Sequence, residues 1–370
     1  MLGHQSKIFK KAFQNLINDK ITVMAAPNRQ AINYSNLLKK IFPHYNKFIF
    51  CSTGSEAVMK ALRISKAITK KSLIISVTGS WHGSNDKTLF SADKNFNAFP
   101  ISSGLSKYDK SKIKFIPYNN ITKSKKILNK YKKRLSCILI EPVQACLPSS
   151  DIKKYLRFLK NFSKKNKIIL IFDEMITGLR TDASSVQSIY KIKPDLSTFG
   201  KCFGGGTPIG IIGVSNKIEG LIKKQNPRIF LGGTFSANSI STYIGKMTVE
   251  YILKNKKKIF SDLKIKSKYF SENLNNFIKQ KKLSISVYDF KSMFRIVFTK
   301  EQVKNRTQRD FFELKKMKKI NLFRKFLFSK KIYYPSNGII FLSTQTSIKD
   351  IDVILKNIKD GLIKYFKDEE

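Results

Sequence analysis

The sequence predicts an α/β protein, with a large domain built on a mostly parallel seven-stranded sheet flanked by helices and a smaller C-terminal α+β domain. Two observations predict this fold. Short apolar runs alternate with helical spacing of apolar residues up to about residue 215, which is typical of βαβ units. Beyond about residue 239, a long helical stretch is followed by separated strands. The 370 residues are enough for one large and one smaller domain.

Seven apolar runs predict the strands of the large sheet: residues 48–50, 72–77, 113–117, 137–141, 168–173, 195–199 and 209–214. Helical spacing predicts the helices around that sheet. These helices are residues 6–20, 29–41, 55–69, 120–134 and 151–165. We therefore assign residues 1–45 to an N-terminal helical segment, 46–250 to the large domain and 251–370 to the small domain.

The region after Asn238 begins with a helical pattern over about residues 239–280. Shorter patterns predict the rest of the smaller domain: strands at 283–288, 293–299, 331–334 and 339–343, a helix near 310–330 and a final helix from 348. We expect these elements to form an α+β unit, joined to the large domain by the long helix.

The chain is strongly basic, with 71 Lys and Arg against 25 Asp and Glu and a formal net charge of +46. Such a charge raises the question of nucleic-acid binding. The basic residues are spread along the whole chain, and no nucleic-acid-binding signature accompanies them. We interpret the charge as a composition bias of an ordinary surface that attracts polyanions weakly and without specificity.

The longest apolar runs have about five residues, whereas a bilayer-spanning helix needs roughly 20. The N-terminal MLGHQSKIFKKAF lacks the apolar stretch of a signal peptide. We expect a cytoplasmic protein with no membrane partner. The four cysteines, Cys51, Cys137, Cys146 and Cys202, are scattered without a C-x-x-C pair, and only three histidines are present. We therefore expect reduced thiols and no metal site.

An acid ends one of the predicted strands. The run Ile168–Phe172 leads directly into Asp173 and Glu174. Ligands of parallel α/β sheets gather at the carboxyl ends of the strands, so Asp173 is a candidate binding residue. An ionised carboxylate in an apolar site needs a cationic partner. The alternative is an acid that caps the next helix or pairs with a neighbouring arginine.

A lysine follows the next strand and precedes three glycines. Lys201 comes directly after the strand 195–199 and Gly200, and Gly204–Gly206 follow it. Glycines let the backbone approach a ligand closely, and a partly desolvated lysine is suited to forming a Schiff base with an aldehyde. The alternative is a lysine whose stem lies along the surface beside a flexible turn.

Two further segments point to a ligand. Ser52–Glu56 lies at a predicted helix start, where free N–H groups of Gly54 and Ser55 would bind a phosphate. Thr53 and Glu56 also fit a capping box, which is compatible with phosphate binding. Trp81 is the only tryptophan and lies in the loop Gly79–Gly83, where it would stack on a planar ring beside a histidine.

A phosphate-binding helix start, an aromatic side chain that stacks on the ring, an acid and a glycine-flanked lysine are the parts that hold pyridoxal 5′-phosphate (PLP). The segments that carry them closely resemble class III PLP-dependent aminotransferases, nearest to the glutamate-1-semialdehyde 2,1-aminomutase subgroup. They are STGSEAVMKALRISKA, GSWHG, ILIEPVQ, IFDEMITGLR, KPDLSTFGKCFGGGTPIG, GGTFSANSIS and FLSTQTSIKDID. The resemblance runs from Gly3-His4 almost to the C-terminus, and it implies the PLP-dependent transferase fold type I and a homodimer.

The resemblance also implies the role of each site residue. Lys201 would form the Schiff base and then move a proton, and Asp173 would pair with the protonated pyridine nitrogen. Trp81 and Met175 would pack on the two ring faces. The remaining cofactor-binding residues would be Gly54 and Ser55 at the phosphate, Thr234 at the phosphate of the partner subunit, His82 beside Trp81, and Glu141 and Gln144 near the ring hydroxyl.

We therefore predict an aminotransferase that moves an amino group from a donor to an aldehyde or ketone through Lys201. The alternative is the intramolecular transfer of the aminomutase. A catalytically weakened relative and a basic nucleic-acid binder are more remote alternatives. Three departures from the aminomutase pattern favour the aminotransferase. The chain begins close to Gly3-His4, so the upstream arginine that binds the substrate carboxylate in the aminomutase is not expected. No Phe-Glu-Ala precedes Phe341, and Asn238-Ser239 stands where Asn-Pro is usual.

Two arginines remain. Arg295 lies where relatives have a small residue; it would contact a substrate carboxylate or phosphate, or face solvent from its strand. Arg180 is interpreted as structural, because the GLR segment packs beneath the strand that carries Asp173.

Overall fold

The computed structural model describes residues 1–3, 6–18 and 26–367, so His4 lies outside the described residues. The chain divides into two compact units. The large unit comprises His4–Pro142 and Asp151–Lys256, and the C-terminal unit comprises Met1–Gly3, Val143–Ser150 and Lys257–Glu370. The sequence-based domain boundaries stay a prediction.

The described residues form twelve strands. They are β1 Tyr45–Cys51, β2 Leu73–Val77, β3 Phe90–Ala92, β4 Ala98–Pro100, β5 Ile113–Ile116, β6 Leu135–Ile140, β7 Ile169–Asp173, β8 Leu196–Gly200, β9 Gly210–Ser215, β10 Ser286–Phe290, β11 Met293–Val297 and β12 Ile339–Phe341.

Thirteen α-helices accompany these strands in the described part of the chain. They are α1 Lys7–Asn18, α2 Arg29–Ile41, α3 Gly54–Thr69, α4 Lys107–Ser111, α5 Ile121–Tyr131, α6 Lys153–Lys165, α7 Val186–Tyr190, α8 Asn216–Lys223, α9 Ser239–Lys254, α10 Lys256–Gln280, α11 Arg306–Leu314, α12 Met317–Ser329 and α13 Ile348–Phe366. No helix among the described residues is long and apolar enough to cross a membrane.

The large unit is built on a seven-stranded sheet with the order β1-β9-β8-β7-β6-β2-β5. The five strands from β8 to β5 are parallel, and β9 is antiparallel to both β8 and β1. The predicted mostly parallel sheet of seven strands is therefore confirmed. Strands β2, β6, β7 and β8 are buried along their whole length, as expected for a sheet covered on both faces.

The register of the sheet brings three chain segments to one edge. Cys51, at the end of β1, pairs with Gly210, and Gly200, at the end of β8, pairs with the same residue. Asp173, at the end of β7, pairs with Thr198 of β8. The start of α3, the residue after β8 and the acid that ends β7 therefore meet at the carboxyl ends of the parallel strands, where ligands of such sheets bind.

The C-terminal unit contains an antiparallel sheet in the order β10-β11-β12. Its core joins residues of this sheet to residues of α10, α12 and α13, including the buried Phe270, Phe294, Phe323 and Phe366. These apolar residues explain why the region forms a compact unit, since an isolated three-stranded sheet needs a packed face for stability.

Three of the predicted elements are divided or do not form in the described part of the chain. The predicted helix over 239–280 is divided at Asn255, whose side chain caps Tyr251 O at 2.8 Å. The predicted helix near 310–330 is likewise divided, between α11 and α12. The predicted strand at 331–334 is wrong, because Lys331 and Ile332 donate their N–H groups to the last carbonyls of α12, and Lys331 has a φ of +60°.

Candidate active site

Seven of the ten residues that the sequence predicts for the site line one cavity of about 330 Å³ in the large unit. They are Gly54, Ser55, Trp81, His82, Asp173, Met175 and Lys201. They come from four segments that are far apart in the chain and meet at the edge of the sheet. The volume lies in the range of small-molecule and cofactor sites.

Asp173 ends β7 and is only 2% exposed. Its Oδ1 accepts hydrogen bonds from Thr198 Oγ1 at 3.1 Å and from the Met175 N–H at 3.2 Å. Its Oδ2 lies 2.8 Å from His82 Nδ1. Among the residues that the structure describes, no lysine or arginine lies within 4.0 Å of this carboxylate, so the cavity presents an acid without a permanent cation.

His82 orients this acid from the loop after β2. Because an ionised carboxylate can only accept hydrogen bonds, the Nδ1 of His82 carries the hydrogen. The ring is 4% exposed, and its Nε2 has no hydrogen-bond partner in the described part of the chain. A buried ring nitrogen without a partner is costly. His82 lines the cavity, whereas its Nε2 atom is buried.

Glu174, the neighbour of Asp173, has a structural role that the sequence analysis did not assign. It is fully buried and accepts hydrogen bonds from the N–H groups of Val186 at 3.2 Å and Gln187 at 2.9 Å, at the start of α7, and from the Thr177 hydroxyl. Burial raises the pKa of Glu174, and these hydrogen bonds offset part of that rise. The sequence shows Glu174 only as a second acid beside Asp173. The residues that donate to it lie 12 and 13 positions further along the chain.

Lys201 is the first residue of a 3₁₀ turn, Lys201–Gly204, that follows β8 directly. Its φ of +48° places it in the left-handed region, which turns the chain sharply at the cavity wall. A Cβ added to the preceding Gly200 would lie 2.8 Å from Met175 Sδ and 2.9 Å from Ile209 O. The exposed amine therefore lies on a tightly packed turn, and no carboxylate within the described ranges approaches it to 4.0 Å.

The start of α3 forms a cradle of residues Ser52–Ser55. Thr53 caps the helix by accepting the Glu56 N–H at 3.2 Å. Glu56 reaches back to the Ser52 N–H at 2.7 Å, one residue earlier than a capping box predicts. The first N–H groups of a helix lack intrahelical partners, so Gly54 and Ser55 present donors to the cavity.

Two side chains offer flat or apolar surface to a ring. Trp81 is 54% exposed, and its backbone N–H donates to Glu141 Oε1 at 2.6 Å, which fixes the loop that carries it. Met175 is packed against both Gly54 and Gly200, since a Cβ added to either glycine would come within 2.8 Å of its Sδ. Both side chains line the cavity.

The other three predicted site residues lie elsewhere. Glu141 is buried and holds the Trp81 backbone. Gln144 is buried in the segment Val143–Ser150 of the C-terminal unit, where it accepts a hydrogen bond from Cys146 Sγ at 3.7 Å. Thr234 is exposed in the loop after α8.

Arg295 is neither exposed to solvent nor unpaired, which corrects the solvent-facing alternative. It is 5% exposed, and its Nη2 lies 2.7 Å from Glu313 Oε2. Arg309 Nε shares the same carboxylate oxygen at 3.3 Å, and the Arg295 Nη1 donates to Asn337 O. The guanidinium is thus engaged within the core of the C-terminal unit.

A family model described as Aminotransferase class-III matches residues 1–322 of the chain. Among curated proteins, the chain is 32% identical over 308 residues to the glutamate-1-semialdehyde 2,1-aminomutase of Thermodesulfovibrio yellowstonii, covering 82% of this chain and 71% of the relative. It is 29% identical over 378 residues to the protein of that name from Methanosphaera stadtmanae, covering 99% of this chain and 87% of the relative.

Solved structures share the fold. An omega-transaminase from Sphaerobacter thermophilus superposes with a TM-score of 0.86 at 21% identity, over 97% of this chain and 83% of the other. A glutamate-1-semialdehyde-aminomutase from Pseudomonas aeruginosa PAO1 also gives a TM-score of 0.86, at 14% identity, over 98% of this chain and 81% of the other. The α/β architecture with a mostly parallel sheet is therefore that of PLP-dependent transferases of fold type I.

Proposed function

The chain belongs to the class III aminotransferase family, and from that premise we propose which of its residues carry out the transfer. Its family makes it a PLP-dependent aminotransferase, and its cofactor is pyridoxal 5′-phosphate. When bound, this cofactor supplies an electron sink that stabilises the carbanion formed as a Cα–H bond breaks. The roles below are assigned to residues of this chain on the contacts that each one makes.

We assign Asp173 to the ring nitrogen. A buried carboxylate held by His82 and Thr198, with no lysine or arginine within 4.0 Å among the described residues, is suited to a cationic ligand atom. A protonated pyridine nitrogen is such an atom. The hydrogen bond from His82 would keep the carboxylate pointing at the ring nitrogen.

Lys201 is assigned as the group that holds the cofactor aldehyde and then acts as the base. Lys201 lines the same cavity as Asp173. Once released by the amino donor, the amine of Lys201 would act as the base that takes the proton from the substrate Cα and would then serve as the proton donor. The adjoining Gly200 lets the turn pack closely against Met175, which fixes the backbone from which the lysine side chain extends.

The phosphate is assigned to the cradle, through the N–H groups of Gly54 and Ser55 at the start of a 16-residue helix. Trp81 and Met175 would contact the two ring faces. Glu141 and Gln144 keep the roles near the ring hydroxyl that the resemblance implies. The exposed position of Thr234 supports a homodimer in which this residue reaches the cofactor of the second subunit.

The convergence of Lys201 and Asp173 on one cavity carries this proposal. Adding PLP to the purified protein should produce an absorbance band that Lys201→Ala abolishes. Lys223→Ala, on the exposed end of α8, is the matched control and should leave the band intact. A band that survives Lys201→Ala would overturn the assignment of this lysine.

A second candidate is intramolecular transfer, as in an aminomutase. It is favoured by the names of the relatives, which are glutamate-1-semialdehyde 2,1-aminomutases. The test is to supply glutamate-1-semialdehyde alone and, separately, with an amino donor and carbonyl acceptors. Conversion without a donor supports the aminomutase, and strict dependence on a donor supports transfer between molecules. A cytoplasmic location is also proposed, because none of the four cysteines forms a disulfide in the described part of the chain.

A further inference from the structure

A strap of residues 225–238 runs along α3 in the opposite direction to the helix. Two basic side chains of α3 and that of Lys70, the residue directly after the helix, hold the strap in reverse order along the chain. The contacts are Lys70 Nζ to Gln225 Oε1 at 3.0 Å, Arg63 Nη1 to Phe230 O at 2.6 Å, and Lys60 Nζ to Ser236 Oγ at 3.3 Å. The strap carries Thr234, and it ends where Asn238 caps α9.

Lys60 differs from the other two because it is buried. It is 1% exposed, and its Nζ lies 2.6 Å from Glu56 Oε1. The other oxygen of Glu56 accepts the Ser52 N–H at 2.7 Å. A continuous set of contacts therefore runs from Ser52 in the cradle through Glu56 and Lys60 to Ser236 in the strap.

The strap backbone lies close against this ion pair. A Cβ added to Gly233 would come within 3.2 Å of Glu56 Oε1 and 2.9 Å of Ser236 Oγ. Burial raises the pKa of Glu56, but hydrogen bonds from Lys60 and Ser52 outweigh it and leave this pKa below its usual value. Breaking this pair is costly because Lys60 is buried and would lose its charged partner.

We propose that Lys60 is a positioning residue that fixes the strap against the start of α3, so that Thr234 keeps the position from which it reaches the phosphate site of a second copy of the chain. The proposal rests on the function assigned above, in which the cradle binds the cofactor phosphate and Thr234 completes the phosphate site of a second copy of the chain. Without Lys60, α3 keeps its N-terminal donors, but the strap loses its buried anchor.

The effect is specific for phosphate, and this specificity makes it testable. Pyridoxal has the ring and aldehyde of PLP but lacks the phosphate. Both ligands can be titrated by the fluorescence of Trp81, which is the only tryptophan and lines the cavity. Lys60→Met should raise the Kd for PLP about tenfold and leave the Kd for pyridoxal within about twofold. Lys66→Met, on the same helix but outside the strap contacts, is the control and should change neither.

Equal weakening of both ligands, or no weakening, would overturn the proposal. If Lys60→Met does not fold, the double variant Glu56→Gln/Lys60→Met removes both charges, and the same phosphate-specific loss is expected. A double-mutant cycle of Lys60→Met and Ser236→Ala gives a second criterion. The losses of PLP affinity in the two single variants should be non-additive, because both remove the same contact. Additive losses would also count against the proposal.

The two proposals can fail separately. If the wild-type protein shows no band that depends on Lys201, the assigned function is wrong. If that band is present in the wild type and in Lys60→Met, and the two proteins discriminate equally between PLP and pyridoxal, only the role of Lys60 is wrong.

Discussion

His82 Nδ1 lies 2.8 Å from Asp173 Oδ2, and both side chains are almost fully buried in the wall of one cavity. The acid ends a central strand, whereas the histidine comes from a loop 91 residues earlier in the chain. The ring therefore fixes the direction in which the carboxylate points. A fixed carboxylate stabilises a developing charge without reorganisation at the moment of reaction.

We expect Asp173→Asn to lower turnover on the order of 10²- to 10³-fold, as for the loss of one preorganised electrostatic contact. The amide can still accept hydrogen bonds from Thr198 and the Met175 N–H, so the fold should be kept. Steady-state kinetics at saturating PLP measure the effect. Turnover within about tenfold of the wild type would show that Asp173 does not stabilise the ring nitrogen.

His82→Ala should lower turnover less than Asp173→Asn. A hydrogen bond to a charged group contributes about 1.5–3 kcal/mol, which corresponds to roughly 10- to 100-fold in rate. His82→Asn keeps a side-chain donor and should restore part of the loss. If the alanine and asparagine variants are equally impaired, the hydrogen bond to Asp173 is not the source of the effect.

Glu174 should make folding stability depend on pH. Burial raises its pKa above the usual 4.5. A carboxyl group that binds its proton more tightly in the folded chain lowers stability as the pH rises from the unfolded pKa through the folded pKa. The Tm of the wild type, relative to that of Glu174→Gln, should therefore fall as the pH rises above 4.5. A wild-type Tm that rises relative to Glu174→Gln in this window would contradict the prediction.

The sequence predicted the parts of the site that depend on local pattern. The run Ile168–Phe172 and the glycines after Lys201 placed an acid and an amine at the ends of neighbouring strands, because apolar periodicity and glycine content are local signals. The five-residue α7 was missed, since it is too short to show a helical period. The role of Glu174 was missed because its partners belong to that helix.

Other features depend on contacts that a pattern does not carry. Arg295 was considered for substrate binding or solvent exposure, yet its partner Glu313 lies 18 residues away on another element. In the sequence, Lys60 is one of many lysines in a basic chain. Its partner Ser236 lies 176 residues further along, and only the tertiary fold brings the two together. Strand and helix positions follow from local physics, whereas the partner of a buried charge follows from the tertiary fold.

The buried pair of Arg295 and Glu313 should contribute to stability and not to substrate binding. Glu313→Ala leaves Arg295 without its main partner, and breaking a buried pair from one side costs about 3–5 kcal/mol. Urea denaturation measures the loss. Glu272→Ala removes half of an exposed pair, with side chains 70% and 59% exposed, and should change stability by less than about 1 kcal/mol. A Glu313→Ala protein as stable as Glu272→Ala would show that Arg295 is free to act elsewhere.

Gly54→Ala should weaken PLP binding through Met175. An added Cβ would lie 2.7 Å from Met175 Sδ, so this side chain must move within the cavity. The double variant Gly54→Ala/Met175→Val should recover affinity, because valine is shorter, and the two changes should be non-additive. Gly220→Ala on α8 meets no atom within 4 Å and is the control, with unchanged affinity. If the double variant binds PLP as weakly as Gly54→Ala, the glycine is needed for the approach of the phosphate itself and not for the position of Met175.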